Sequence, residues 1–140
     1  MGKEHSMKIT LRNTLKGHCH FQSIEDRFST GIPDLNLCIA GVDVWIELKQ
    51  IGKFPERFDT TLKTSLAHLT NDQMNWLLKR IKHGGKAFIL LRVQMPCQWF
   101  LIAGKDAHEL KGWTQEQLEF SCLNYWGSLD VDELIEELTA

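Results

Sequence analysis

Two acids and a lysine, Asp34, Glu47 and Lys49, stand at a spacing that could do phosphoryl chemistry. Asp34 closes the run Gly31-Ile32-Pro33-Asp34, and Glu47-Leu48-Lys49 begins thirteen residues later. Two hard carboxylate donors suit a divalent cation such as Mg²⁺ or Mn²⁺, which polarises a phosphate and lowers the pKa of bound water. A neighbouring ammonium can hold the nucleophile or steady charge developing on the phosphate. Together these groups could hydrolyse a phosphodiester.

The elements that must position them are readable from period-two alternation. In Asp43 to Lys49, Val44, Ile46 and Leu48 share one apolar face, while Trp45, Glu47 and Lys49 share the other. The preceding segment alternates likewise, with Leu35, Leu37 and Ile39 opposed to Asp34, Asn36 and Cys38. Ala40-Gly41-Val42 supplies a turn, so an antiparallel hairpin brings Asp34 and Glu47 to one end of the sheet. A competing reading is two edge strands with a solvated charged face, which is ordinary in antiparallel sheets. The Gly-x-Pro-Asp entry, the hairpin spacing and Glu-x-Lys on an apolar-backed strand weigh against it.

Around the hairpin, Lys8–Lys16 reads as a helix with Met7, Leu11 and Leu15 on one stripe and Gly17 at its end. Cys19–Ile24 reads as a strand leading into Glu25-Asp26-Arg27. Residues 51–69 are irregular, broken by Gly52 and Pro55 and charged by Lys53, Arg57 and Lys63. They predict a mobile DNA-contacting flap, with a plain helix-and-loop connection as the alternative. Thr70-Asn71-Asp72-Gln73 opens a helix whose stripe is Met74, Leu77, Leu78 and Ile81, stopped by Gly84-Gly85. Thr70 with Gln73 fits a capping box. Lys86–Val93 and Gln98–Ala103 predict strands, followed by a short helix near Lys105–Leu110 and an amphipathic one bearing Val131, Leu134, Ile135 and Leu138. The order is that of an α/β domain with a mixed sheet.

The 140 residues are 43% hydrophobic and 24% charged, a profile that supports one core-forming domain and contains no run able to span a membrane. The first residues carry no secretory leader. Cys19, Cys38, Cys97 and Cys122 form no C-x-x-C pair, and Cys38 and Cys97 sit in apolar surroundings that predict buried free thiols. A reducing, cytoplasmic compartment follows. His18-Cys19-His20 lacks a second ligand pair and splits across two strand faces, which argues against structural zinc. The formal charge of −2 averages over unlike regions: residues 44–105 hold ten Lys and Arg against four acids, a local +6. The C-terminal segment holds Asp130, Asp132, Glu133, Glu136 and Glu137 and no base. The basic middle is a candidate phosphate-binding surface, with plainly solvated lysines as the alternative.

Residues of about 18–103 resemble the PD-(D/E)XK nuclease superfamily, and within it the stand-alone virus-type replication-repair (VRR-NUC) domains and related phage proteins. The matching pieces are Ser23-Ile24-Glu25-Asp26, Ser29 to Leu35, Trp45 to Lys49, Leu69 to Gln73 with Trp76-Leu77, and Gly84-Gly85. The resemblance implies an αβββαβ restriction-endonuclease-like core at about 7–103, with a C-terminal helical extension at about 104–140 in one nuclease domain. It implies Mg²⁺- or Mn²⁺-dependent DNA cleavage, with Asp34, Glu47 and the Leu48 carbonyl on the metal and Lys49 assisting catalysis. It adds an upstream acid, with Glu25 favoured over Glu4 as a metal ligand, and gives Gln73 an active-site role. Gln73 as a helix cap stands beside that reading.

Small relatives of this type are dimers that cut branched DNA such as Holliday junctions in replication, recombination or repair, in the cytoplasm of a bacterium or virus-infected host. That expectation is analogy. Two alternatives stay open: a catalytically silent or weak DNA-binding module on the same fold, and a non-specific or nicking nuclease. The intact Asp34, Glu47 and Lys49 set speaks against silence.

Overall fold

A computed structural model describes residues 4–25 and 30–140. The motif residues Asp26 and Ser29 lie outside the described residues, as does Arg27. The acid-bearing hairpin forms as its alternation requires. After helix α1 (His5–Leu15), strands β1 (His20–Ser23), β2 (Leu35–Ile39) and β3 (Val42–Ile51) pair antiparallel in succession, with Leu35 opposite Ile46 and Ile39 opposite Val42. The two-residue turn between β2 and β3 needs a positive φ at both positions, and Ala40 and Gly41 supply +49° and +82°.

Strand β4 (Lys86–Val93) lies parallel to β3, so the chain must cross over, and α2 (Asn71–Lys82) makes the crossing. Strands β5 (Gln98–Ala103) and β6 (Asn124–Trp126) then add antiparallel, completing a six-stranded mixed sheet in the order β1-β2-β3-β4-β5-β6. A 3-10 turn at Gly104–Asp106 leads into α3 (Ala107–Leu110), followed by α4 (Gln115–Ser121) and α5 (Val131–Thr139). No helix among the described residues is long and apolar enough to cross a membrane.

Helices cover both faces. Met7, Leu11 and Leu15 of α1 and Leu134 and Leu138 of α5 pack on Leu35, Leu37, Val44, Ile46 and Leu48. The other core joins α2, α3 and α4 to Ile51, Ile89, Leu91, Phe100 and Ile102. β3 therefore shows Val44, Ile46 and Leu48 to the first layer and Trp45, Glu47, Lys49 and Ile51 to the second.

Four expectations are corrected. The residues after 103 are not only helical: they add edge strand β6, whose Trp126 is buried, and a helix, α4, that weak periodicity had hidden. Leu78 is 42% exposed, so the buried stripe of α2 is Met74 and Leu77 with Ile81 half-buried. Cys38 and Cys97 are exposed, because Cys38 lies on the outward face of β2 and Cys97 in the turn before β5. The segment after β3 is anchored rather than a free flap. Leu62, Leu66 and Leu69 are fully buried, and lifting them would cost roughly 2 kcal/mol each. Only its first part protrudes, with Phe58 86% exposed.

Candidate functional site

The loop into β2 sets the first acid. Gly31 has φ +79°, and a Cβ there would stand 2.3 Å from the Asp72 carbonyl oxygen, so only glycine lets the loop lie on the start of α2. Asp34 follows, its own carbonyl accepting from Ile24 N–H at 2.8 Å. Its carboxylate Oδ2 accepts the Leu48 N–H at 2.8 Å. β2 pairs no further than Ile46, so the Asp34 side chain takes the backbone donor that the strand leaves open. In an extended strand the Leu48 carbonyl leaves on the same edge as its N–H, beside Asp34.

Glu47 is 1% exposed and Lys49 4%. The Lys49 ammonium stands 3.5 Å from Glu47 Oε2 and donates to the His68 carbonyl at 3.3 Å. Leu66 and Leu69, buried on either side of His68, fix that carbonyl in place. Gln73 Nε2 donates to the same Glu47 oxygen at 3.4 Å. Its Oε1 accepts Thr70 N–H at 3.0 Å, and its own N–H donates to Thr70 Oγ1 at 3.2 Å. The two readings of Gln73 are therefore compatible: one amide closes the capping box and grips the buried acid.

Glu47 Oε1 is buried and has no hydrogen-bond partner. Desolvation, and then the adjacent Asp34 carboxylate, push the Glu47 pKa up to about 9, with Lys49 pulling the other way. Two carboxylates side by side, one with an unmatched buried oxygen, fit a divalent cation. Among the described residues no group of three His, Cys, Asp or Glu side chains gathers. That donor set suits Mg²⁺ in particular, which is held by one or two carboxylates and keeps several waters.

Of the other expected site residues, Glu25 is exposed and follows Ile24, the residue bonded to the Asp34 backbone. Its carboxylate does not join the Asp34–Glu47 pair. Glu4 occupies the N-cap position of α1, a helix on the opposite face of the sheet. Sequence reasoning missed the His68 carbonyl and the closeness of Gly31 to α2. The first has no side-chain signal; the second was present in the Gly-Ile lead-in.

No protein-family model matches the sequence, and no curated protein matches it. The fold does match solved structures. One is Hjc of Archaeoglobus fulgidus, a Holliday junction resolvase from an archaeal hyperthermophile. It is 12% identical, with a TM-score of 0.60 over 96% of this chain and 97% of that one. At that identity the likeness is one of fold, and it identifies the architecture as restriction-endonuclease-like.

Proposed function

We propose that this chain is a metal-dependent endonuclease that hydrolyses DNA phosphodiesters, with branched DNA as its substrate and a homodimer as its working form. The observation that carries the reading is the Asp34–Glu47 pair, with Glu47 buried, Lys49 buried beside it and Glu47 Oε1 unmatched. The resolvase-like fold supports it, as does the resemblance of Pro33-Asp34 and Glu47-Leu48-Lys49 to the PD-(D/E)XK signature.

Asp34, Glu47 and the Leu48 carbonyl would hold Mg²⁺ or Mn²⁺, with Glu25 proposed as an additional acid. Bound there, the cation supplies Lewis acidity and a water of lowered pKa. The rest is done by the chain. The Leu48 N–H fixes the Asp34 carboxylate, and Gln73 fixes the Glu47 rotamer. Lys49 places an ammonium 3.5 Å from Glu47 Oε2, where it would steady charge developing on a bound phosphate. Its hydrogen bond to His68 limits the rotamers it must give up.

Symmetric resolution of a junction needs two cuts, and one chain carries one site, so a two-fold dimer is the economical arrangement. The α5 stripe cannot serve as its interface, because Leu134 and Leu138 are consumed by the chain's own core.

The test is incubation with labelled duplex, flap, fork and four-way junction in Mg²⁺, Mn²⁺ or EDTA, with light scattering for mass. Cleavage that needs the cation and prefers the junction is the expected result. Equal cutting of plain duplex by a monomer would leave a non-specific nuclease. Binding without cutting in any cation would leave a silent DNA-binding module.

A further inference from the structure

The sheet face that carries Glu47 holds a second constellation, nearer the end of α2. Trp45 of β3 and Trp76 of α2 meet with ring centroids 5.0 Å apart. The Arg80 guanidinium lies over both rings, 5.0 Å from one centroid and 4.7 Å from the other. Trp45 is itself fixed: its Nε1 donates to Asp43 at 3.0 Å, and the other Asp43 oxygen accepts from Asn36 at 2.9 Å. A Cβ at Gly85 would stand 2.4 Å from Arg80 Cδ, so the glycine makes room for the arginine stem. Beside this stack opens a cavity of about 620 Å³, lined by Trp76, Lys79, Arg80, His83, Gly84 and Gly85.

Bases in a last helical turn ordinarily offset the helix dipole. That explains the charge of Lys79 and Lys82 but not an arginine held by two indoles. Held this way, Arg80 gives up little side-chain entropy on binding and keeps its planar fork for an anion. Its contact with Asp43 is long, 3.9 Å, so its donors are not spent there. Phosphate beside a base is the ligand such a site matches: the fork and Lys79 take the oxygens, and the indole takes a base or sugar face. A second copy related by a two-fold axis would set these cations against each other.

We infer that this cleft is a backbone subsite for a DNA strand, gripping phosphates away from the one that is cut. The inference rests on the nuclease reading. Gln73 touches Glu47, and Arg80 lies seven residues further along α2, roughly 10 Å at about 1.5 Å per residue. That span is about three base-pair steps at roughly 3.4 Å each. The cleft would thus hold the substrate near the acids without touching the reacting phosphate.

The test measures binding of the full chain to a fluorescein-labelled four-way junction and to a labelled poly-dT strand, in EDTA, across a salt series. Lys79→Gln combined with His83→Gln removes two exposed groups and spares the fold; Arg80→Gln removes the clamped one. Each should weaken binding by about tenfold and flatten the dependence of log Kd on log salt by about one for every phosphate no longer neutralised. An unchanged Kd and an unchanged salt slope in the double variant would overturn the inference. So would intact DNA binding with lost self-association in sedimentation, which would make the cleft a surface for a second copy. If the unaltered protein binds and cuts DNA while both variants do so equally well, only the cleft assignment falls. If the unaltered protein binds no DNA, the nuclease reading falls with it.

Discussion

Glu47→Gln should make the metal-free protein more stable at neutral pH while abolishing cleavage. Burial, and then Asp34, lift the Glu47 pKa from 4.5 to about 9, a figure that already contains the opposing pull of Lys49. Between those values the folded chain holds a proton that the unfolded chain releases. The stabilisation is fully present below about pH 4.5 and is lost as pH rises toward about 9. At about 1.36 kcal/mol per unit, the rise from 4.5 to neutrality costs about 3 kcal/mol. For a chain of this length that is a melting shift on the order of 10 °C. Glutamine is neutral throughout, so its variant escapes the loss.

The assay is thermal melting in EDTA at pH 5, 6, 7 and 8 for both proteins. Other titrating groups act on both, so the quantity to read is the difference between the two curves, which should widen with pH. Mn²⁺ should close the gap by stabilising only the protein that keeps the carboxylate. Parallel curves, or a variant that melts lower at pH 8 in EDTA, would refute the assignment of Glu47 as a desolvated acid awaiting a cation.

Lys49→Ala should lower the cleavage rate by orders of magnitude while calorimetry still detects Mn²⁺ binding; if it mainly abolishes metal binding, its role in charge stabilisation is wrong. Gln73→Ala should fail in both of its roles, losing about 1 kcal/mol of stability through the cap and losing rate through Glu47; a melting shift with unchanged rate would return it to the cap alone. Asp34→Asn keeps an acceptor for the Leu48 N–H whereas Asp34→Ala does not, so both should be inactive but only the second should lose about 1 kcal/mol in urea unfolding.

The sequence disclosed the site better than its surroundings, and the reason is periodicity. Strict alternation through β2 and β3 placed Asp34, Glu47 and Lys49 on one face, and the structure keeps that partition residue by residue. Burial was the hidden part. Alternation shows that Glu47 and Lys49 leave the same face, but not that α2 and the 60–69 segment close over them. That closure depends on Leu62, Leu66 and Leu69, whose helix-like spacing lies in a stretch that folds only as successive turns. Short elements were lost for a related reason. Strand β6 spans three residues and α4 seven, too few for a periodic signal to rise above loop composition. Gln73 was read as either cap or site residue because sequence reasoning gives a side chain one task, whereas an amide has a donor end and an acceptor end.

The place of the site follows from unequal strand lengths. On one edge β3 is paired with β4 as far as Ile51, while on the other its last partner is Leu35, opposite Ile46. For five residues, then, one edge of β3 carries main-chain groups with no strand beside them, yet helices cover both faces of the sheet. A buried edge of that kind must be satisfied by something other than a ladder. Asp34 satisfies the donor at Leu48, and the adjacent Glu47 Oε1 is left with no hydrogen-bond partner. Arms of equal length would have given the Leu48 N–H a ladder partner and left Asp34 no main-chain donor. The early stop of β2 therefore presents Asp34 as a side-chain cap on β3, next to the buried Glu47.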